Sequence, residues 1–222
     1  RRMIDAAGWS DADRQFMLGD ASSRAYERLV RENGETAILM ISPPRPDGPA
    51  IRQGKPYSAI AHLAETVDAF VAMDKGLRSL GLSAPQILAQ DLSTGLLLIE
   101  DLGPGLVIDE NGPIPERYEA AARLLAELHR HALPTILPVA EARDHVIPDY
   151  DREALAIETE LVLDWYAPHI AGVTLPAVTR AAFGRIWDRL FDEVFATPAT
   201  WTLRDYHSPN LIWLPDRVGH AR

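Results

Sequence analysis

Hydrophobic and polar positions alternate in short blocks over the first hundred residues and in longer, helix-spaced stripes thereafter. The first signal is Asn33-Gly34, a pair that accepts positive φ at both central positions of a type I′ turn. The runs Tyr26 to Arg31 and Thr36 to Ile41 flank it and are expected to pair as antiparallel strands. A shorter strand, Gln15 to Leu18, precedes them across the small polar loop Gly19 to Ser23. Ser42 to Pro56 holds too many Pro and Gly for regular structure and predicts an exposed loop. Ile60, Leu63, Val67, Phe70, Met73 or Asp74, and Leu77 then recur at three and four residues, which predicts one helix with an apolar stripe against the sheet.

"GLSAPQILAQD" reads as extended chain, and "GLLLIEDLG", Gly95 to Gly103, as a short buried strand. Gly103-Pro104-Gly105 ends this unit, so a boundary falls between residues 1–103 and 104–222. Beyond it, Pro115 sits where a helix can start, with Ala121, Leu124, Leu125 and Leu128 as its buried stripe before Pro134. A second helix is expected from about Asp151 to Ala167. A third runs from about Pro176 to Phe195, with Phe183, Trp187, Leu190 and Val194 among its inward positions. The pattern predicts an α+β protein: a small antiparallel sheet with one helix, then a mainly helical part.

Composition narrows the function. A chain of 222 residues can bury a proper core without cross-links. It has no Cys, which excludes disulfides, thiolate metal sites and a Cys nucleophile and is compatible with a cytoplasmic location. A net charge of -10 argues against nucleic acid as a partner, because phosphate binding needs clustered Lys and Arg. No stretch approaches the ~20 apolar residues of a membrane span, so no membrane partner is expected. The composition sets no oligomeric state. The chain opens on Arg1 rather than Met and stops at Arg222, which leads us to expect a longer protein on both sides.

Chemistry concentrates in "TLRDYHSPNLIW", Thr202 to Trp213. Asp205 and Asn210 stand in D-x-x-x-x-N spacing, the arrangement in which a kinase loop sets a carboxylate on the acceptor hydroxyl and an amide oxygen on Mg²⁺. Phosphoryl transfer is mainly positioning and charge neutralisation, so such a pair suits it. The same pair also populates ordinary turns. Its context decides: a polar Gly loop between strands, an Asn-Gly hairpin, a long helix, and an apolar strand ending in Glu100-Asp101-Leu102-Gly103 all precede it.

In that order, "LGDASSRAYERL", "LLLIEDLG", "ARLLAELHRH" and "RDYHSPN" resemble the aminoglycoside phosphotransferase family, the small-molecule branch of the bilobal protein-kinase-like fold. The likeness covers most of the chain. It implies ATP and Mg²⁺ as cofactors and a small-molecule hydroxyl as acceptor, with Asp205 as catalytic base and Asn210 as a metal ligand. Glu100 and Leu102 would offer backbone groups to adenine, and Gly19, Ser22, Ser23 and Arg24 would cover the phosphates. Within the family the wording is most similar to the bacterial anomeric kinases of N-acetylmuramate and N-acetylglucosamine. Residues 1–103 would then form the nucleotide-binding lobe and 104–222 part of a helical lobe.

The chain departs from the family at four places. Met40 sits where the strand Lys belongs, and the partner Glu would fall near Phe70. Losing both members is coherent, since either alone would be a costly buried charge. Phosphate charge would then fall to Mg²⁺, to loop amides, or to Arg24, Arg45, Arg52 or Lys55. Leu203 stands where a structural His is common. The second Mg²⁺ carboxylate is expected after a hairpin that follows Asn210, and Arg222 comes first, so the polypeptide as given is expected not to complete transfer.

Other residues have duller explanations. His129 and His131, two apart on a helix, point about 200° apart and do not suit one metal. His207 is expected to pack in the loop, and Ser22-Ser23 lacks the G-x-S-x-G elbow of a nucleophile. Glu158, Glu160 and Asp164 read as a solvated face. Two rival functions stay open: a nucleotide-binding pseudokinase or regulatory module, motivated by Met40, and a metal hydrolase using Asp205 and His207.

Overall fold

The computed structural model describes residues 2–18, 24–45 and 48–218. Its elements begin with α1 (Arg2–Ala6), β1 (Asp13–Met17), β2 (Ala25–Val30), β3 (Thr36–Ile41), β4 (Ala50–Arg52), β5 (Lys55–Pro56), α2 (Tyr57–Ile60) and α3 (Asp68–Ser79). They continue with β6 (Ile87–Asp91), β7 (Leu96–Glu100), β8 (Ile108–Asp109), β9 (Gly112–Pro113), α4 (Pro115–Leu128), β10 (Ile136–Ala140) and β11 (Arg143–Val146). Last come α5 (Arg152–Leu161), a π-helix over Val162–Ile170, and α6 (Ala177–Phe195).

Five strands form one sheet in the order β1-β2-β3-β7-β6, each pair antiparallel. Its centre, β3 and β7, is buried on both faces from Ala37 to Met40 and from Leu97 to Ile99. That is why these strands read as continuous apolar runs rather than as alternation. Ile4 of α1 and Trp9 after it close one face over Leu29, Ala37, Leu39 and Leu98. Burying each such Leu contributes roughly 2 kcal/mol. The sequence pattern did not predict α1, because five residues are too few to show a helical period.

The β2–β3 hairpin forms as expected, but its turn differs. Only Gly34 has positive φ, at 84°. Gly34 N–H donates to Arg31 O and Arg31 N–H to Glu35 O, both at 2.9 Å, so three residues rather than two make the turn, with glycine in the left-handed position. Asn33 instead accepts from Glu35 N–H through its side chain at 2.9 Å. Positive φ at both central residues occurs at Gln53 and Gly54 (50° and 77°), where β4 turns into β5 inside the segment expected to be irregular.

The single helix expected from Ile60 to Leu77 is two. His62 has φ 52°, which ends α2, and α3 begins only at Asp68. Leu63 is consequently exposed, while Ile60, Val67 and Val71 are buried. The principal neighbour of α3 is the β10–β11 hairpin, which the sequence pattern missed; Lys75 Nζ donates to Val139 O at 2.6 Å and Arg143 Nε to Asp68 Oδ2 at 2.9 Å.

Two compact units emerge. The first holds residues 1–45, 64–147 and 203–222, and the second 46–63 and 148–202. Gly103 lies inside the first unit, as does α4, which starts with Pro115 at its first turn as predicted. In the second unit Asp151 caps α5 by accepting from Ala154 N–H at 2.9 Å. Leu190 and Val194 of α6, expected inward, are exposed, and Phe191 is the buried residue. Arg180 pairs with Asp164, Arg52 with Glu160, and Tyr150 donates to Glu158, so the face read as merely solvated is tied down within this unit. No helix among the described residues is long and apolar enough to cross a membrane.

Candidate active site

The loop 203–210 is a run of tight turns rather than an extension of either neighbour. His207 N–H donates to Asp205 O at 2.9 Å and Asn210 N–H to His207 O at 2.8 Å. The Asn210 side chain closes the loop, its Nδ2 donating to Asp205 O at 3.1 Å. This fixes the amide: with nitrogen turned inward, Oδ1 of this exposed residue is left as a hard oxygen donor. Asp205 is exposed as well. The two residues singled out from sequence spacing are thus joined by a hydrogen bond, with both side-chain oxygen sets available to a ligand.

Two anchors hold this loop. Tyr206 hydroxyl donates to Ala121 O of α4 at 2.8 Å, and burial pushes its phenol pKa up, so it stays a donor at ordinary pH. On the far side, Trp213 N–H donates to Gly105 O at 2.9 Å and Leu106 forms an isolated bridge with Ile212. Arg117 reaches Leu106 O and lies over the Trp213 ring, 5.4 Å from its centroid. His207, expected to pack, is exposed, with Nδ1 against Ser208 O.

The strand that leads to the loop's anchor is equally fixed. Glu100 N–H donates to Gln86 O at 2.8 Å, so the carbonyl is the backbone group Glu100 could offer a base. Asp101 pairs with Arg28 of β2, Oδ2 to Nε at 2.8 Å, and its Oδ1 accepts from Gly103 N–H at 2.9 Å. The Asp101 side chain is only 8% exposed, and Leu102 is half-buried between these contacts. Glu100, Leu102, Asp205 and Asn210 all belong to the first unit.

Of the expected phosphate loop, Gly19, Ser22 and Ser23 lie outside the described residues, and Arg24, half-buried, precedes β2. Of the cations proposed for the phosphates, Arg52 and Lys55 are engaged with carboxylates of the second unit. Arg52 pairs with Glu160, and Lys55 donates to Glu153 at 2.8 Å, which raises the lysine's pKa. Met40 is fully buried at 0% exposure, facing Leu97 and Tyr26 in register. The acid buried on α3 is Asp74, one turn beyond Phe70 and 5% exposed. Its Oδ1 has no hydrogen-bond partner. Burial pushes the carboxyl up to about 6 against the pull of Arg78 and Lys75, with Glu100 adding to the rise.

Sequence reading missed Tyr206 and the Arg28–Asp101 pair, and it named Asp74 only as an alternative to Met73 in the helical stripe, not as a buried acid. Asp74 broke an otherwise apolar stripe, and that anomaly was the available signal. Among the described residues no group of three or more His, Cys, Asp or Glu is arranged to hold a metal. An open cavity lined by Arg2, Met3, Leu88, Asp91 and Arg143 contains none of the candidate site residues.

Residues 13–219 match the model of the phosphotransferase enzyme family. A Caulobacter vibrioides protein named N-acetylmuramate/N-acetylglucosamine kinase is 36% identical over 99% of this chain and 63% of its own length. Kinases of the same name from Pseudomonas aeruginosa and Neisseria meningitidis are 28% and 26% identical, over 93% and 94% of this chain and 54% and 55% of theirs. The chain therefore spans between about half and two thirds of the relatives it matches. Among solved structures, a Rio2 kinase–ADP/Mg²⁺-phosphoaspartate complex from Chaetomium thermophilum aligns at 13% identity and a TM-score of 0.38, over 78% of this chain and 60% of that one.

Proposed function

This chain belongs to the phosphotransferase enzyme family, and from that premise we propose that the intact protein moves the γ-phosphate of ATP to a hydroxyl of a small molecule. Its curated relatives are named for N-acetylmuramate and N-acetylglucosamine, which supports an amino sugar as the acceptor. Residues 1–103 are proposed as the nucleotide-binding part and 104–222 as part of the acceptor and catalytic part. A cytoplasmic setting follows from an ATP-consuming reaction.

The observation that carries this reading is the Asp205–Asn210 geometry. An exposed carboxylate is held five residues from an amide whose oxygen is left outward by its own hydrogen bond. Asp205 would orient the acceptor hydroxyl and take its proton as the oxygen forms a bond to the γ-phosphorus; the bond from that phosphorus to the bridging oxygen breaks, and ADP departs. The donor set suits Mg²⁺, for which Asn210 Oδ1 would be one ligand. Bound there, the ion would neutralise phosphate charge. Tyr206, Trp213 and Arg117 keep the loop from moving during the step, which is how binding energy becomes positioning.

An ADP-release assay on the intact protein with N-acetylmuramate, N-acetylglucosamine and aminoglycosides tests the proposal. Acceptor-dependent ADP release that Asp205→Ala abolishes supports it. Tight ATP binding with no turnover on any hydroxyl acceptor overturns it. A second reading, a nucleotide-binding pseudokinase, is favoured by the fully buried Met40 at the position where a phosphate-binding Lys is expected. It predicts that Asp205→Ala leaves the cellular role intact.

A further inference from the structure

One arginine outside the loop ties its exit to the strand β7. Arg217 Nη2 pairs with Glu100 Oε1, and Nη1 of the same guanidinium donates to Ser83 Oγ at 2.7 Å. The second oxygen of Glu100 accepts from Gln86 N–H at 3.0 Å. Residues 83–86, 100 and 217, distant in sequence, therefore meet at one planar, five-donor group whose geometry a lysine cannot reproduce. Both partners are about one third exposed, so the pair adds little stability by itself. Its value lies in position. Glu100 ends the strand whose carbonyl is proposed to face the base, and Arg217 closes the segment that leaves Asn210 through Trp213 and its bond to Gly105.

We propose that Arg217 is a positioning residue for the nucleotide: by gripping Glu100 and Ser83 together, it fixes the spacing between the groups that face the base and Asn210, which faces the phosphates. This rests on the phosphotransferase reading above. A nucleotide must touch both ends at once, so a loosened spacing weakens nucleotide binding and misplaces the γ-phosphate, without altering how the acceptor is held.

The test compares wild type, Arg217→Met, Arg217→Lys, Glu100→Gln and the Met/Gln double variant in the intact protein. Affinity for a fluorescent ADP analogue is read beside steady-state KM for ATP, KM for acceptor and kcat. Arg217→Met should weaken nucleotide affinity and raise KM for ATP about tenfold with acceptor KM unchanged. Arg217→Lys should recover part of this by keeping the charge. The double variant should be no worse than Arg217→Met, because both remove one interaction. Unchanged nucleotide affinity in Arg217→Met, or penalties that multiply in the double variant, overturns the proposal. Wild-type protein that binds the analogue but transfers nothing contradicts the phosphotransferase reading alone, and the affinity comparison still decides the role of Arg217.

Discussion

Trp213 N–H donates to the carbonyl of Gly105 at 2.9 Å, and a Cβ built on Gly105 would stand 2.1 Å from the Trp213 carbonyl oxygen. Two backbones thus approach so closely that only glycine fits between them. Gly105 follows the strand end and Trp213 follows Asn210, so this contact aligns the candidate catalytic loop with β7. Gly105→Ala must push one backbone away. It should cost about 2 kcal/mol and lower Tm by about 4–8 °C, read by calorimetry. Gly184 is the contrasting case: inside α6, with open space around a built Cβ and no positive φ, it should gain roughly 0.5–1 kcal/mol on substitution by Ala.

Tyr206 separates anchoring from chemistry. Its hydroxyl reaches Ala121 O, a carbonyl on α4, so removing it strands no buried donor and should cost about 1 kcal/mol. If the loop needs that anchor during transfer, Tyr206→Phe should lower kcat several-fold with KM for ATP nearly unchanged. Steady-state kinetics beside thermal denaturation checks both halves.

These anchors explain what the sequence disclosed and what it concealed. The sheet was legible because β3 and β7 carry unbroken apolar runs and a Gly marks the hairpin between β2 and β3. Asp205 and Asn210 were legible because their spacing is local. Tyr206 with Ala121, Arg28 with Asp101 and Arg217 with Glu100 are separated by 85, 73 and 117 residues, and no period or spacing within one element encodes them. The break at His62 was hidden for another reason: the apolar stripe continues in phase across it, although a left-handed residue ends the helix there. Leu190 and Phe191 show the same limit, since the period finds an apolar face but not which neighbour buries it.

Asp74 predicts a pH dependence of definite sign. Its carboxyl titrates at about 6 in the folded protein, above its ordinary value of 3.8, chiefly because burial opposes the charge. The folded state therefore holds the proton more tightly than the unfolded chain. The stabilisation is fully present below about pH 4 and is lost as pH rises through about 6. Asp74→Asn, an uncharged near-isostere, should raise stability at pH 8 by on the order of 1–3 kcal/mol and should flatten the dependence between pH 4 and 7. Denaturant unfolding at pH 5 and pH 8 measures this, and an Asn variant less stable than wild type at pH 8 would contradict it.

The Arg28–Asp101 ion pair ties β2 to the residue that follows β7. Arg28 Nε lies 2.8 Å from Asp101 Oδ2, and the other carboxylate oxygen holds Gly103 N–H at 2.9 Å, fixing the turn that follows Leu102. Removing Arg28 strands the carboxylate of Asp101, which is only 8% exposed, whereas the arginine, 35% exposed, stays partly solvated, so the loss is on the order of 1–3 kcal/mol. Arg28→Met should therefore cost more than a surface arginine. It should also free Asp101 to reorient and loosen the Leu102–Gly103 turn. Asp101→Asn keeps an acceptor for Gly103 N–H and should cost less than Asp101→Ala. Because Leu102 is proposed to offer its backbone to the base, KM for ATP should follow the same order, with Ala above Asn above wild type. A KM for ATP that stays flat across the series while stability falls would separate this pair from nucleotide binding and leave it a purely structural tie.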